Sequence, residues 1–256
     1  MSLEGDKTPR DPTTDMQQKP EHRVDFSKIV ALKGEFEAEG LSRESVAAES
    51  NFASRHGLPY LVKIGGAEAK SDLRYLIQIG VRRVVAPMIE SPFAMRKYME
   101  MVPAAAFDHI GVTIETIDAV RRIEEILDAG TQLSEVTVGR TDLTASYSGS
   151  GVDSDETIAM VKTVAFAARK RGLHTTIGGS VGTATARRLE SDSELRELVA
   201  CVETRKCVMP VENFLQDGAL AAAFAVEEAL LALQLDHHGA IAAAAAARTE
   251  QIRARL

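Results

Sequence analysis

Residues 109–148, HIGVTIETIDAVRRIEEILDAGTQLSEVTVGRTDLTASYS, contain one full repeat of the pattern that governs the chain. An apolar run, His109–Ile114, leads into a stretch with helical spacing, Ile117–Ala129, and then into a second apolar run, Glu135–Gly139. Two β-branched runs joined by an amphipathic helix read as a βαβ unit, and its strands lie parallel because the connection is long enough to cross the face of the sheet. Gly130 stands where that helix should stop.

The same alternation extends in both directions. Strand-like runs fall at Ile29–Lys33, Pro59–Ile64, Arg83–Pro87, His174–Ile177 and Thr204–Met209, and helical spacing appears at Ser42–Arg55, Ala69–Ile79, Pro92–Met101 and Asp155–Arg171. Ser42, Ser91 and Ser154 precede helices as capping residues, and Gly172 ends one. At 256 residues the chain suits a single α/β domain, a (β/α)8 TIM barrel, which typically needs about 250 residues. Only seven strands are visible, so the barrel has one irregular or missing strand: either Arg23–Lys28 supplies it or one side stays incomplete. A doubly wound open sheet is the rival, but the first βα turn shows no G-x-G-x-x-G phosphate cradle.

The domain plan is a flexible tail over residues 1–24, a barrel over 25–215 and a helical extension over 216–256. The tail is rich in Asp, Lys, Pro, Thr and Gln and too poor in apolar residues to offset the entropy of ordering it. The Ala-rich extension is expected to break near His237, His238 and Gly239, and either to fold over its own barrel or to pack on a second copy in a homo-oligomer.

A net charge of -7 with acidic and basic residues mixed along the chain leaves no basic face for a phosphate backbone, which argues against a nucleic-acid partner. No apolar run approaches the roughly 20 residues that span a bilayer, and no secretion signal is visible, so a cytoplasmic location is the expectation. Cys201 and Cys207 lie on or beside one predicted strand without zinc-ligand spacing and read as buried thiols.

In such barrels chemistry gathers at the C-terminal ends of the strands. The residues there are Glu35 and Glu37, then Lys63 with Gly65, Gly66 and Glu68, then Glu90, Glu115, Arg140 and Asp142. So many carboxylates on one rim would repel one another unless a cation joined them. Glu115 and Asp142 end adjacent predicted strands, and paired hard oxygen donors suit Mg2+ or Mn2+ better than zinc; the alternative is that each carboxylate caps the helix after its strand. Gly65 and Gly66 could let backbone N–H groups approach an anion, or could form a plain turn; Gly178, Gly179 and Ser180 could make a small anion nest. Glu90 is either a partner of the metal or a charge favoured at a helix N-terminus. His109 and His174 open strands at the opposite face and read as structural.

The runs APMIES (residues 86–91), VTIET (112–116) and VGRTDLTASYS (138–148) resemble the HpcH/HpaI aldolase and citrate lyase beta-subunit family of the phosphoenolpyruvate/pyruvate barrel superfamily, over roughly Ile29–Met209. The resemblance implies that Glu115 and Asp142 bind Mg2+ or Mn2+, and that Lys63 grips the substrate's carboxylate or enolate oxygen where family aldolases usually carry Arg. It implies a metal-dependent aldolase or lyase that makes or breaks a carbon-carbon bond beside a pyruvate-like 2-oxo acid through a metal-stabilised enolate, with an aldehyde or acyl co-substrate. Thr141 and Asp142 would help position the acid. The family's Glu-His pair maps onto Glu35 and Phe36, so no imidazole is available, and proton transfer would fall to Glu35, Glu37, Glu68 or a metal-bound water. The alternatives are an acyl-thioester lyase and a non-catalytic barrel that binds metal and oxo acid.

Overall fold

The computed structural model describes residues 24–253; the N-terminal tail expected over residues 1–24 lies almost entirely outside them. In chain order the elements begin with β1 (Ala31–Glu35), α1 (Phe36–Glu39), α2 (Arg43–Arg55), β2 (Tyr60–Lys63), α3 (Lys70–Gln78), β3 (Arg83–Ala86), α4 (Pro92–Met101), β4 (His109–Ile114), α5 (Ile117–Arg121), α6 (Ile123–Asp128) and β5 (Glu135–Gly139). They continue with α7 (Arg140–Ser146), α8 (Asp155–Arg169), β6 (His174–Gly178), α9 (Thr183–Ser191), α10 (Ser193–Leu198), β7 (Cys201–Glu203), β8 (Cys207–Pro210), α11 (Val211–Phe214) and α12 (Ala219–Arg253).

The strands close into a barrel in the order β1 to β8. From β1 to β7 every neighbouring pair is parallel, with β4 and β5 in register from Gly111↔Glu135 to Ile114↔Val138. The last strand departs from the (β/α)8 plan: β8 is antiparallel to both β7 and β1. The connection from Glu203 to Cys207 forces this, since it spans only Thr204, Arg205 and Lys206 and a parallel crossover needs a dozen residues or more. Thr204 closes the turn, its N–H donating to the Cys207 carbonyl (2.9 Å) and its Oγ1 accepting from the Cys207 N–H (3.2 Å).

This hairpin corrects the expectation of an eighth strand at Arg23–Lys28 or an open side. The described part of that segment, from Val24, is loop and turn; the missing strand is β7, and the run read as the seventh strand ends in β8. Cys201 and Cys207 consequently sit on two strands, as free thiols.

Alternation along the strands divides the interior in two. Leu32, Val62, Val84, Val112, Val136, Ile177 and Val202 face the helices and form the main core. The residues between them point into the barrel, where Ala31, Leu61, Val85 and Val208 make a small apolar plug. The rest of that inner face is polar. Lys33, Glu35, Thr113, Glu115, Glu135, Thr137 and Glu203 are all buried there.

The helices begin where their caps stand: Ser42, Ser91 and Ser154 accept from the N–H groups of Ser45, Ala94 and Thr157. The stretch Ile117–Ala129 breaks at Arg122 into α5 and α6. The C-terminal helix does not break at His237, His238 and Gly239; α12 runs unbroken through them, because the alanines around Gly239 carry the helix past its low propensity. Ala219, Ala223, Val226 and Leu230 bury one face of α12 on this chain's own barrel, while the stretch from His238 to Arg248 is exposed.

A second buried ion cluster pins α12 and the hairpin to the first helices. The Lys206 ammonium meets Glu39 at 2.5 Å and Glu49 at 2.9 Å, and Glu49 also accepts from Tyr60 Oη (2.7 Å) and Gln234 Nε2 (2.7 Å). Gly34 makes this possible, since a Cβ there would come within 1.9 Å of the Tyr60 hydroxyl.

Candidate active site

A cleft of about 410 Å³ opens at the barrel mouth, at the C-terminal ends of the parallel strands. Glu115, just past β4, and Asp142, in the first turn of α7, both line it, as do Lys63 at the end of β2 and Glu35 at the end of β1. Thr141 lines it too. Thus five of the residues singled out from sequence meet in one place.

Glu115 is held by its neighbours' backbones. Its Oε1 accepts from the Met88 N–H at 2.9 Å, and Met88 adopts φ 52°, a left-handed conformation uncommon for a non-glycine residue. The Pro-Met of APMIES therefore serves the site through the main chain. On the other side Gly139 leaves room for the carboxylate, for a Cβ there would stand 2.7 Å from Glu115 Oε2. Burial pushes the Glu115 carboxyl up; Lys63 and the Met88 N–H pull it down, Asp142 and Glu35 add repulsion, and the result lies above the ordinary value.

Glu35 is shifted the other way. Burial favours its neutral form, but Lys33, 2.6 Å from Oε1, and Lys63, 3.3 Å from Oε2, outweigh burial and hold the carboxyl below the usual range. Lys33 also lies 2.6 Å from Glu203 Oε1. Burial disfavours the Lys33 ammonium, yet Glu203 and Glu35 together hold its pKa above the ordinary lysine value.

The wall beside Asp142 is fastened by Arg140, which is fully buried. Its guanidinium donates to the carbonyls of Gly178 (3.0 Å) and Gly179 (3.0 Å) and to Thr185 Oγ1 (3.2 Å), and pairs with Asp153. Gly179 takes φ 84° and Ser180 φ 48°, and the Ser180 hydroxyl lies 3.1 Å from that of Thr141. Gly179 and Ser180 line the cleft.

Other candidates lie elsewhere. Gly65 and Gly66 are not among the cleft's lining residues, and the Gly65 N–H donates to Asp72 Oδ2 (2.9 Å), so the anion cradle expected of them is not formed. Glu37, Glu68 and Glu90 are exposed and also off the lining, and Glu90 directly precedes the Ser91 cap of α4. Phe36 is buried with its ring edge-on to Tyr75, which places the family's histidine position in the core. His109 and His174 open β4 and β6, and burial together with Arg83 and His174 lowers the His109 pKa to about 4.

Sequence reasoning missed Lys33 and Glu203 inside the barrel, and Arg205, Phe224 and Glu227 at its outer lip. A signal existed for the first of these, because Lys33 and Glu35 alternate on one strand face. No periodicity could announce that α12 returns to the mouth with Phe224 and Glu227.

The donor set suits a hard divalent cation. Three basic side chains, Lys33, Lys63 and Arg205, line the cleft against five acidic ones, Glu35, Glu115, Asp142, Glu203 and Glu227, an excess of two negative charges. Among the described residues no group of three or more His, Cys, Asp or Glu is placed to hold a metal. The chain would therefore offer Glu115 and Asp142 and leave the other positions to water and substrate oxygens, a division that Mg2+ accepts.

Fold and site thus define a closed eight-stranded α/β barrel with an acidic cleft at its mouth. The family model HpcH/HpaI aldolase/citrate lyase matches residues 63–188, the segment that carries Lys63, Glu115 and Asp142. That match supports a lyase of this superfamily. Solved structures share the fold. An HpcH/HpaI aldolase from Desulfitobacterium hafniense is 16% identical with a TM-score of 0.56, over 78% of this chain and 82% of that one. A family protein from Burkholderia cenocepacia is 18% identical with a TM-score of 0.55, over 77% and 84%. RipC from Yersinia pestis is 14% identical with a TM-score of 0.53, over 75% and 85%. No curated protein sequence matches the chain. Among the described residues no helix is long and apolar enough to cross a membrane.

Proposed function

We propose that this protein is a lyase that makes or breaks a carbon-carbon bond beside a pyruvate-like 2-oxo acid, with Mg2+ or Mn2+ held by Glu115 and Asp142. The observation that carries the reading is the cleft's charge: Glu115, just past β4, and Asp142, in the first turn of α7, line one space and make up its whole excess of acid over base, with Lys63 beside them. When bound, the cation supplies a Lewis-acid charge where negative charge develops on the keto oxygen.

The chain's own residues do the rest. Lys63 attracts the acid's carboxylate as a point charge, without the fork an arginine would offer, and so tolerates more than one substrate orientation. Thr141 presents a hydroxyl beside Asp142 for positioning. Of the carboxylates that the sequence offers for proton transfer, Glu35 is the one that lines the cleft, since Glu37 and Glu68 face solvent and Phe36 is in the core.

The test combines calorimetry and NMR. Mg2+ with oxalate, a non-reacting analogue of the acid, should bind the wild type and not Asp142→Ala, and pyruvate in D2O should exchange its methyl protons only when Mg2+ is present. Uptake of cation without exchange would leave a binding barrel, and unchanged cation binding by Asp142→Ala would refute the assignment. Cleavage of an acyl thioester in place of an aldol would move the chain to the citrate lyase side of the matched family.

A further inference from the structure

Lys33 is buried, yet it is not committed to one partner: its Nζ lies 2.6 Å from Glu35 Oε1 on its own strand and 2.6 Å from Glu203 Oε1 on β7. The second oxygen of Glu35 faces Lys63 at 3.3 Å. Glu203 is seated tightly, because a Cβ on Gly178 would approach its Oε1 to 2.7 Å. We infer that Lys33 and Glu203 are positioning residues, which orient Glu35 as the carboxylate that takes and returns the proton in this cleft.

The reason lies in what happens to a buried ammonium when its partner is neutralised. Were Lys33 paired with Glu35 alone, each protonation of Glu35 would strand an uncompensated charge inside the barrel, an expensive state. Glu203 lowers that cost by giving the Lys33 ammonium a second acceptor at 2.6 Å, and Lys33 in return opposes the burial that raises the Glu203 carboxyl. Lys33 in turn fixes Oε1, which leaves Oε2 toward Lys63 and the cleft. In the step itself the C–H bond beside the keto group breaks, its electron pair forms the substrate's new C=C bond while the π pair of the keto C=O moves onto its oxygen to give the enolate, and the proton arrives on Glu35 Oε2; the reverse step restores the C=O and returns the proton. This step rests on the lyase reading above, whereas the clamp on Glu35 does not.

The charged groups that face Glu35 are Lys33 from its own strand, Glu39 from α1, Lys63 from β2, Glu115 from beside β4 and Glu203 from β7. Two substitutions should act on it in opposite directions. Lys33→Met removes a cation and should raise the Glu35 titration midpoint, while Glu203→Gln removes an anion at nearly constant shape and should lower it. Carboxyl 13C NMR of the metal-free protein reads both, with the Glu35 signal assigned by its loss in Glu35→Gln. The acid limb of Mg2+-dependent methyl exchange should move with the midpoints, and a shift of one pH unit means a tenfold change in rate below the limb.

Midpoints that stay fixed, or that move in the same direction in both variants, overturn the inference. If Lys33→Met does not fold, the downward shift in Glu203→Gln decides alone. Midpoints that move as stated in a wild type that exchanges nothing would refute the lyase reading and support the clamp, and exchange with unmoved midpoints would do the reverse.

Discussion

Replacing Gly179 by alanine should damage both the fold and the cleft. The residue sits at φ 84°, and a Cβ there would meet the Thr141 amide nitrogen at 2.6 Å, Thr141 Oγ1 at 2.7 Å and the Arg140 amide nitrogen at 3.0 Å. The left-handed conformation alone costs an alanine about 1–2 kcal/mol. The contacts add an overpacking cost of about 1–3 kcal/mol, because two of the three atoms are backbone and cannot swing aside. Part of each is relieved when the loop shifts, so the total should be about 2–4 kcal/mol, or roughly 5–15 °C in Tm for a domain of this size. That shift moves Thr141 and Asp142 directly, and a displacement near 1 Å at a reacting centre costs about 100-fold in rate. Gly66→Ala is the control: nothing lies within 4 Å of its Cβ and its φ is not positive, so its effect should stay within about 0.5 kcal/mol. Urea denaturation and calorimetry with Mg2+ and oxalate read stability and site. Equal midpoints and affinities for the two variants would refute the argument.

Glu115→Gln should stabilise the metal-free protein at neutral pH by about 0.5–2 kcal/mol in urea while abolishing cation uptake. The sign follows from Glu115's raised pKa: the folded state is favoured while the group is protonated, and that advantage is lost as pH rises from the unfolded value through the folded one, leaving a buried charge at pH 7. Lys206→Met should cost about 3–5 kcal/mol by leaving the Glu39 and Glu49 carboxylates without their cation, with faster hydrogen exchange around Gln234 of α12. Phe36→His should not restore a catalytic imidazole; the ring would enter the core beside Tyr75, lower stability by about 1–3 kcal/mol and leave methyl exchange no faster than before. Deleting residues 240–256 should leave the urea midpoint within about 0.5 kcal/mol, since the side chains from Ala240 to Arg248 are exposed, and a larger loss would show that this arm packs on something.

The barrel was legible wherever a strand was long enough to show its pattern. β4 and β5 begin and end where the β-branched runs do, and the serine caps fix three helix starts. β7 was not legible, because a strand of three residues has no period and its neighbour across a three-residue turn looked like part of the same run. Starting the first strand at Ile29 instead of Ala31 ended it at Lys33 and hid the inward alternation of Ala31, Lys33 and Glu35. Glu115, Asp142 and Lys63 were legible because rim residues follow directly from strand ends. Gly65 misled for a local reason: its N–H is taken by Asp72, seven residues on, a partner that no motif reveals.

The antiparallel strand also governs how the protein can be made. Ala31 pairs with Val208, so the first strand stays an unpaired edge until nearly the whole barrel has been synthesised. At the usual pace of translation that interval lasts roughly 10–35 s, during which one flank of the growing sheet is open to neighbouring chains. The short loop that reverses the chain at Thr204 is thus the event that ends this exposure, and a nascent protein halted before it would be sticky in a way the finished one is not.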